Sequence, residues 1–205
     1  MNINQTPFPS LFFGEFEYSD GGWIEKNSIH VYYPLQWLIL DDDQDNRKML
    51  LLSKDFVALE GFANCPILGT GYKTSWKDSY VRQWLNEYFF TKAFNTKQKS
   101  AICTTQISPT KQGHRKTLDR IFLLSKHEYE KYFADFPSKV NYLSVIKDSS
   151  DTIKIVNDDY WSWWLRDISP DDDSLIQAVS YDGELYYLDS NSAEVGVRPA
   201  MWIKY

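Results

Sequence analysis

The stretch that decides the fold runs from residue 160 to residue 189 and reads YWSWWLRDISPDDDSLIQAVSYDGELYYLD. Its second half contains two apolar runs joined by Asp182 and Gly183, a dipeptide typical of tight β-hairpin turns. Its first half concentrates aromatic residues, four of them in positions 160–164, and we interpret it as a strand because aromatic side chains favour sheets. We therefore predict a C-terminal antiparallel sheet, with an acidic loop between its first strand and the hairpin.

Strand alternation divides the aromatic residues of this stretch between two faces. Trp161, Trp163 and Leu165 share one face, and we expect them in the core because large aromatic side chains are mostly buried. Trp164 and Arg166 share the other face. Two interpretations of that face stay open: a buried arginine with its carboxylate partner, or a ligand-contacting surface, since Trp and Arg are frequent in binding hot spots.

The composition is that of a chain with an ample core and excess negative charge. Hydrophobic residues make up 43% of the 205 residues and aromatic residues 17%, which favours a sheet-rich fold. The net charge of -6 argues against direct nucleic-acid binding, because phosphates repel an acidic surface. The N-terminus lacks signal-peptide features, and no apolar run approaches the roughly 20 residues of a membrane helix. We expect a cytoplasmic protein without membrane contact, or a phage-particle component released by lysis.

No repeat or linker divides the sequence, so we predict one domain over residues 1–205. Ser75 with Asp78 resembles a helix-capping pair and predicts a helix over 76–90, and Ser125 with Glu128 predicts a second, shorter helix. The remaining predictions are a hairpin over 30–53, a buried strand over 119–125, polar loops over 104–117 and 135–159, and a last strand over 195–205 that Pro199 interrupts.

The candidate chemical groups do not combine into a recognisable catalytic or metal site. The tip that starts at Asp41 lacks the Gly and Glu that a calcium loop requires at fixed positions. An enzyme is therefore the weakest hypothesis, and no catalytic residue, metal or cofactor is predicted. The groups considered are His30, His114, His127 and two cysteines expected to be buried thiols, Cys65 and Cys103.

Arginines beside aromatic motifs are expected to stabilise the core. Arg82 and Arg198 are interpreted as structural, because a guanidinium can bridge several acceptors at once. The side chains predicted to be largely buried are Trp84, Trp161, Trp163 and Trp202, with Arg198 paired among them.

Five motifs, taken in order, resemble a known family. They are LLLSK at 50–54, SWKDSYVRQWLNEYFFTKAF at 75–94, DRIFLLSKHEYEKYF at 119–133, WWLRD at 163–167 and GVRPAMWI at 196–203. Together they resemble the bacterial domain-of-unknown-function family numbered 6273, found largely in Firmicutes and their phages, from about Phe12 to Ile203. That family is similar to C-type-lectin-like folds, which implies an α+β fold of antiparallel sheets with two or three short helices. Family members commonly continue WWLR with Ser-Pro-Gly, whereas this chain has the longer, acidic DISPDDDS.

The resemblance implies a non-catalytic binding module whose protein or glycan ligand contacts the C-terminal loops. The alternative is an intracellular inhibitor or immunity-type protein that binds a basic protein partner through its acidic surface. The predicted ligand-binding residues are Trp164, Arg166, Asp171, Asp172, Asp173, Tyr181 and Tyr186.

Overall fold

The computed structural model describes residues 7–17, 32–63, 72–134, 143–147, 153–157, 162–180, 182–193 and 195–205. The strands are β1 Ser10–Glu17, β2 Tyr32–Asp43, β3 Lys48–Ser53, β4 Ala58–Leu59, β5 Thr105–Ile107, β6 Thr117–Asp119, β7 Leu143–Lys147, β8 Ile153–Asn157, β9 Trp163–Ile168, β10 Leu175–Val179, β11 Leu185–Asp189, β12 Gly196–Val197 and β13 Ala200–Lys204. The helices are α1 Tyr80–Trp84, α2 Phe90–Ala93, α3 Thr96–Ala101 and α4 Lys126–Phe133, with a π-helical turn Leu85–Phe89 between α1 and α2.

Two sheets form the body of the molecule. One has the order β1-β2-β3-β13, with antiparallel pairing throughout, and the other has the order β11-β10-β9-β12-β4. The second sheet is antiparallel except where β12 runs parallel to β9. Short helices accompany these sheets, which confirms the predicted α+β class with mainly antiparallel strands.

Both hairpins predicted from the sequence are present. β2 and β3 pair from Trp37 opposite Ser53 to the tip, and β10 pairs with β11 from Leu175 opposite Asp189. The second hairpin closes through a longer loop than the predicted two-residue turn. The Ser180 N–H donates to the Glu184 carbonyl and the Gly183 N–H donates to the Ser180 carbonyl, and Gly183 adopts a φ of 89° that glycine tolerates best.

The first predicted helix begins later than expected. Ser79, rather than Ser75, caps it by accepting from the Arg82 N–H at 3.3 Å. Ser75 and Asp78 instead form a turn before the helix, because the side chain of Trp76 is drawn inward to donate to buried Asp119. A tertiary contact thus overrides the local capping signal.

The helical segment 80–93 is continuous but not uniform. Its buried residues recur every four positions, whereas an α-helix completes a turn in 3.6 residues. Positions four apart therefore rotate gradually around the axis of an α-helix. The wider π-helical turn in the middle offsets part of this rotation, so that one face stays against the core. The buried residues are Val81, Leu85, Phe89 and Ala93.

The second predicted helix is confirmed as α4, with the full capping box of Ser125 and Glu128. The sequence interpretation missed α3, which Asn95 caps reciprocally with Gln98. No residue of α3 is fully buried, so the apolar periodicity that reveals other helices is absent there.

Three further predictions require correction. The loop predicted over 135–159 contains the paired strands β7 and β8, and the loop predicted over 104–117 contains β5 and the start of β6. The segment 119–125 is buried as predicted but is not a regular strand: after β6 it makes a single bridge, from Phe122 to Ala200. The Leu124 carbonyl also accepts from the Arg166 N–H at 2.9 Å, but these separate contacts do not form a continuous ladder, so burial did not produce a strand.

The predicted last strand divides at Pro199 between the two sheets. Val197 pairs with Ala58 in the second sheet, and Ala200 pairs with Leu52 in the first. Between them, the Pro199 carbonyl accepts from the Ser53 N–H at 2.8 Å. Proline suits this position because it has no N–H to leave unpaired at the crossing.

Strand β9 is buried on both of its faces. Trp163, Trp164, Leu165 and Arg166 are all at most 6% exposed, so the predicted division into a core face and a polar face is wrong. The Phe62 ring lies 5.8 Å from Trp164, and Tyr129 of α4 lies 5.7 Å from Trp163. A strand in the middle of a sheet with cover on each side has no outward face.

The other predicted core residues differ in their burial. Arg198 is fully buried as expected; its Nε donates to the Ser53 carbonyl at 2.8 Å, and its guanidinium lies 4.9 Å from the centre of the Trp163 ring. Trp84 and Trp202 are only partly buried against the core, and Trp161 lies outside the described residues.

Candidate functional site

A polar cleft of about 520 Å³ opens between three segments that are distant in sequence. Segment 72–78 precedes α1, segment 111–115 precedes β6, and Asp173 belongs to the acidic loop before β10. The lining residues are Tyr72, Lys73, Thr74, Ser75, Lys77, Asp78, Gly113, His114, Arg115 and Asp173. The volume lies within the range of small-ligand sites, but the lining is far more polar than in a typical one.

Two of the cleft's walls are joined by Lys111. Its Nζ donates to the Asp173 carboxylate at 2.5 Å and to the Ser169 carbonyl at 3.0 Å. On the other side, the Thr74 N–H donates to the Asp173 carbonyl at 3.1 Å. The acidic loop is therefore fixed between the other two segments, and all three form one surface.

Asp119 of β6 lies beneath the cleft and holds the first segment against the second. Its carboxylate accepts from Trp76 Nε1 at 2.9 Å, from Arg82 Nε at 2.8 Å and from the Thr117 hydroxyl at 2.5 Å. This confirms the structural role predicted for Arg82. Asp119 itself was not among the predicted residues. It stands two positions before the buried apolar run that begins at Ile121, and this placement could have indicated a buried partner for that arginine.

The three predicted aspartates of the acidic loop occupy different environments. Asp171 is exposed. Asp172 accepts from the backbone N–H and hydroxyl of Ser174, and these hydrogen bonds hold the pKa of its carboxyl below the usual value. The Lys111 hydrogen bond similarly lowers the pKa of Asp173. The loop is thus held by internal contacts, and Asp173 alone among the three lines the cleft.

Trp164 and Arg166 lie inside the protein and do not reach the cleft. The Trp164 Nε1 donates to the Glu60 carbonyl at 2.8 Å, and the ring is 0% exposed. Arg166 donates to the Leu123 carbonyl at 2.6 Å and to Glu128 at 2.5 Å. Of the two interpretations left open, the described contacts match the buried arginine with its carboxylate partner, because a side chain without exposure cannot touch an external ligand.

Of the two predicted tyrosines, the structure describes Tyr186, which lies away from the acidic loop. Tyr186 pairs with Ala178, three residues along β10 from Leu175, which places it about 10 Å along the strand from the loop. Its hydroxyl shares a hydrogen bond with the Ser162 hydroxyl. Tyr181 lies outside the described residues. The hairpin tip and the acidic loop stand at opposite ends of the β10–β11 pair.

The contact between Arg166 and Glu128 predicts a pH-dependent contribution to stability. Burial alone raises the pKa of Glu128, but the Arg166 charge and the hydrogen bonds from Ser125 outweigh it and leave that pKa below its usual value. A lowered folded-state pKa contributes stability above the ordinary value of about 4.3, and this contribution is lost as pH falls through the folded-state pKa. Glu128→Gln, which can retain the capping box, should therefore be less stable than the parent at neutral pH, with a difference that shrinks in acid.

Urea denaturation at a series of pH values measures this difference. Glu130→Gln is the matched control, because Glu130 lies on the same helix, is half-exposed, and is 3.7 Å from Lys126. Its stability difference from the parent should stay small across the series. A Glu128→Gln difference that did not change between neutral and acidic pH would contradict the assignment.

The cleft concentrates cationic side chains in a chain that is acidic overall. Lys73, Lys77 and Arg115 are exposed, and His114 is partly exposed beside them. His114 and Arg115 belong to the polar loop predicted over 104–117 and, like Lys73 and Lys77, are not among the predicted ligand-binding residues. The clustering of Lys111, His114, Arg115 and Lys116 within an acidic chain is the sequence feature that could have indicated a cationic surface here.

The carboxylates at the acidic hairpin tip accept hydrogen bonds from other side chains of the same protein. Asp41 accepts from the Lys131 ammonium and the Tyr132 hydroxyl, Asp42 accepts from the Tyr205 hydroxyl, and Asp43 accepts from Asn46. Within the described residues, no group of three His, Cys, Asp or Glu side chains is placed to hold a metal ion. Cys103 is a free, partly exposed thiol, and Cys65 and His30 lie outside the described residues.

Comparison with known proteins gives one match. The sequence profile of a family described as a domain of unknown function, DUF6273, matches residues 46–205, which include all five motifs quoted above. No curated protein and no solved structure matches the chain. In the part of the chain that the structure describes, no helix is both long and apolar enough to cross a membrane.

Proposed function

This chain belongs to the domain-of-unknown-function family DUF6273, and from the surface of its structure we propose that it is a non-catalytic module that binds a glycan in the cleft. The observation that carries the proposal is the meeting of three loops around a cleft whose lining, in the described part of the chain, includes no aliphatic side chain. Hydroxyl, carboxylate and cationic groups beside one exposed aromatic ring suit a ligand rich in hydroxyls.

A protein ligand has less support at this surface. The centres of protein–protein interfaces are depleted in charged residues and enriched in aromatic anchors. The cleft instead presents Lys73, Lys77, Arg115 and Asp78, and among the residues that the structure describes there, Tyr72 is its only aromatic side chain other than His114. A small polar ligand, or a short segment of a longer glycan, fits this composition better than an apolar protein anchor does.

We also propose that the fold is C-type-lectin-like. Two features support it: the first and last strands, β1 and β13, belong to the same sheet, and the second sheet is built mainly from the C-terminal third of the chain. The acidic loop at the cleft leaves from this second sheet. An experimental structure in which β1 and β13 lay in separate sheets would contradict the proposal.

The inhibitor alternative would use acidic surface against a basic partner. Asp172, Asp173 and Asp41 already accept hydrogen bonds from neighbouring residues of the chain, so fewer carboxylates remain for a partner. A basic protein that is captured at low salt and released at high salt would favour this alternative over glycan binding.

Glycan binding is tested by screening labelled protein on an oligosaccharide array, followed by affinity measurement with the best ligand. Tyr72 is 51% exposed at the rim of the cleft, and we expect Tyr72→Ala to weaken binding about tenfold or more through loss of ring contact. Tyr88→Ala is the matched control, because Tyr88 is 48% exposed on the helical segment 80–93 and does not line the cleft. An array without a bound glycan, or equal effects of the two variants, would refute the proposal.

A further inference from the structure

We infer that the cleft binds an acidic glycan, a sugar chain carrying a carboxylate or sulfate that contacts Lys77 and Arg115. The inference rests on the proposed glycan binding and adds the chemical class of the ligand. It starts from the charges at the cleft, which differ in sign from those of the chain as a whole.

The acidic residues of the cleft are already engaged. Asp173 pairs with Lys111 at 2.5 Å, and Asp78 accepts from the Ser75 hydroxyl at 2.6 Å. By contrast, in the described part of the chain no carboxylate lies within 4 Å of the side-chain nitrogens of Lys77 or Arg115. Their positive charge is therefore available to a ligand.

Lys77 is held in place by the network beneath the cleft. Its carbonyl accepts from Arg82 NH1 at 3.1 Å, while the same guanidinium pairs with Asp119 at 2.7 Å. Arg115 stands two residues before Thr117, whose hydroxyl also donates to Asp119. Asp119 thus holds the Lys77 carbonyl through Arg82 and the segment that follows Arg115 through Thr117, and a site fixed before binding loses less entropy when a ligand is ordered.

The two cations also differ in the geometry they offer. The planar fork of Arg115 can donate two parallel hydrogen bonds to a carboxylate or sulfate, and Lys77 adds a compact charge. The exposed Tyr72 ring lines the same cleft. Together, these side chains can contact the charged group and the flat face of one sugar unit.

Calorimetric titration with a matched pair of probes tests the inference. The probes are tetragalacturonate and its methyl ester, which share one sugar backbone and differ in charge. We expect the parent protein to bind the acid about tenfold or more tightly than the ester. The double variant Lys77→Gln/Arg115→Gln should lose most of that preference, and added salt should weaken binding of the acid, because exposed charges are screened.

The control Lys92→Gln/Lys97→Gln makes the same change in net charge at exposed positions outside the cleft and should bind like the parent. Equal affinity for the acid and the ester would overturn the charge inference and leave glycan binding standing. The inference also fails if the two double variants lose affinity equally, if inorganic sulfate binds as well as the tetrasaccharide, or if polyglutamate is the only probe that depends on Lys77 and Arg115. Absence of binding by either tetrasaccharide, with a neutral glycan bound on the array, would likewise reject the acidic class alone.

Discussion

Trp163→Ala is expected to lower the free energy of unfolding by about 3–5 kcal/mol, the range for emptying a buried aromatic site. Trp163 is 1% exposed in the centre of β9. Its ring meets Tyr129 edge-on, with 5.7 Å between the ring centres, and lies beneath the buried guanidinium of Arg198. Removal of the ring leaves a cavity. It also removes the aromatic contact of the Arg198 guanidinium, a buried charge that has no access to water.

Urea denaturation followed by circular dichroism measures the loss. Trp202→Ala is the matched control: Trp202 is only partly buried, and Lys48 covers its ring from the surface at 4.7 Å. The control should lose clearly less stability, since its site can refill with water and mobile side chains. If the two variants unfolded at the same urea concentration, Trp163 would not have the central packing role assigned to it.

Asp119→Ala is expected to cost about 3 kcal/mol. Removal of one member of a buried ion pair typically costs about 3–5 kcal/mol, and the lower end applies because the Arg82 side chain remains 24% exposed. The substitution also leaves the Trp76 indole N–H and the Thr117 hydroxyl without their shared acceptor. Both groups are buried, so water cannot replace the carboxylate fully.

The control for this variant is Asp171→Ala, which removes an exposed carboxylate near the same cleft and should change stability by no more than about 0.5 kcal/mol. Thermal or urea unfolding compares the two. Equal stability would show that Trp76 and Arg82 find other partners when Asp119 is absent. Because Asp119 fixes two walls of the cleft, its loss should also weaken the binding of any ligand in the cleft. The variant Lys92→Gln/Lys97→Gln should leave that binding unchanged.

The parts of the fold predicted correctly from sequence are those with local causes. The Ser125–Glu128 capping box acts within one helical turn, and both long hairpins follow from apolar runs on either side of turn residues. The start of the first helix was misplaced because its cause is not local. Trp76 and Asp119 are 43 positions apart, and nothing in the sequence near Ser75 reports that contact.

The candidate site was predicted only in part, for the same physical reason. Alternation along β9 separates two faces of a strand but does not tell whether a second layer covers each face. Trp164 and Arg166 were therefore open to a surface interpretation that their burial excludes. The acidic loop was selected, and Asp173 does line the cleft, but its partner Lys111 lies 62 positions away in a loop without periodicity. Pairings of this kind become visible only when the strands are assembled.

The division of the last strand between the two sheets has a consequence for synthesis of the chain. β13 completes the first sheet beside β3, whose partner residues are made about 150 positions earlier. Until β13 arrives, the edge formed by Leu50, Leu51 and Leu52 is apolar and unpaired, the kind of edge that recruits other chains. We therefore expect chains that end before β13 to aggregate more readily than the full chain, because they keep this edge unpaired.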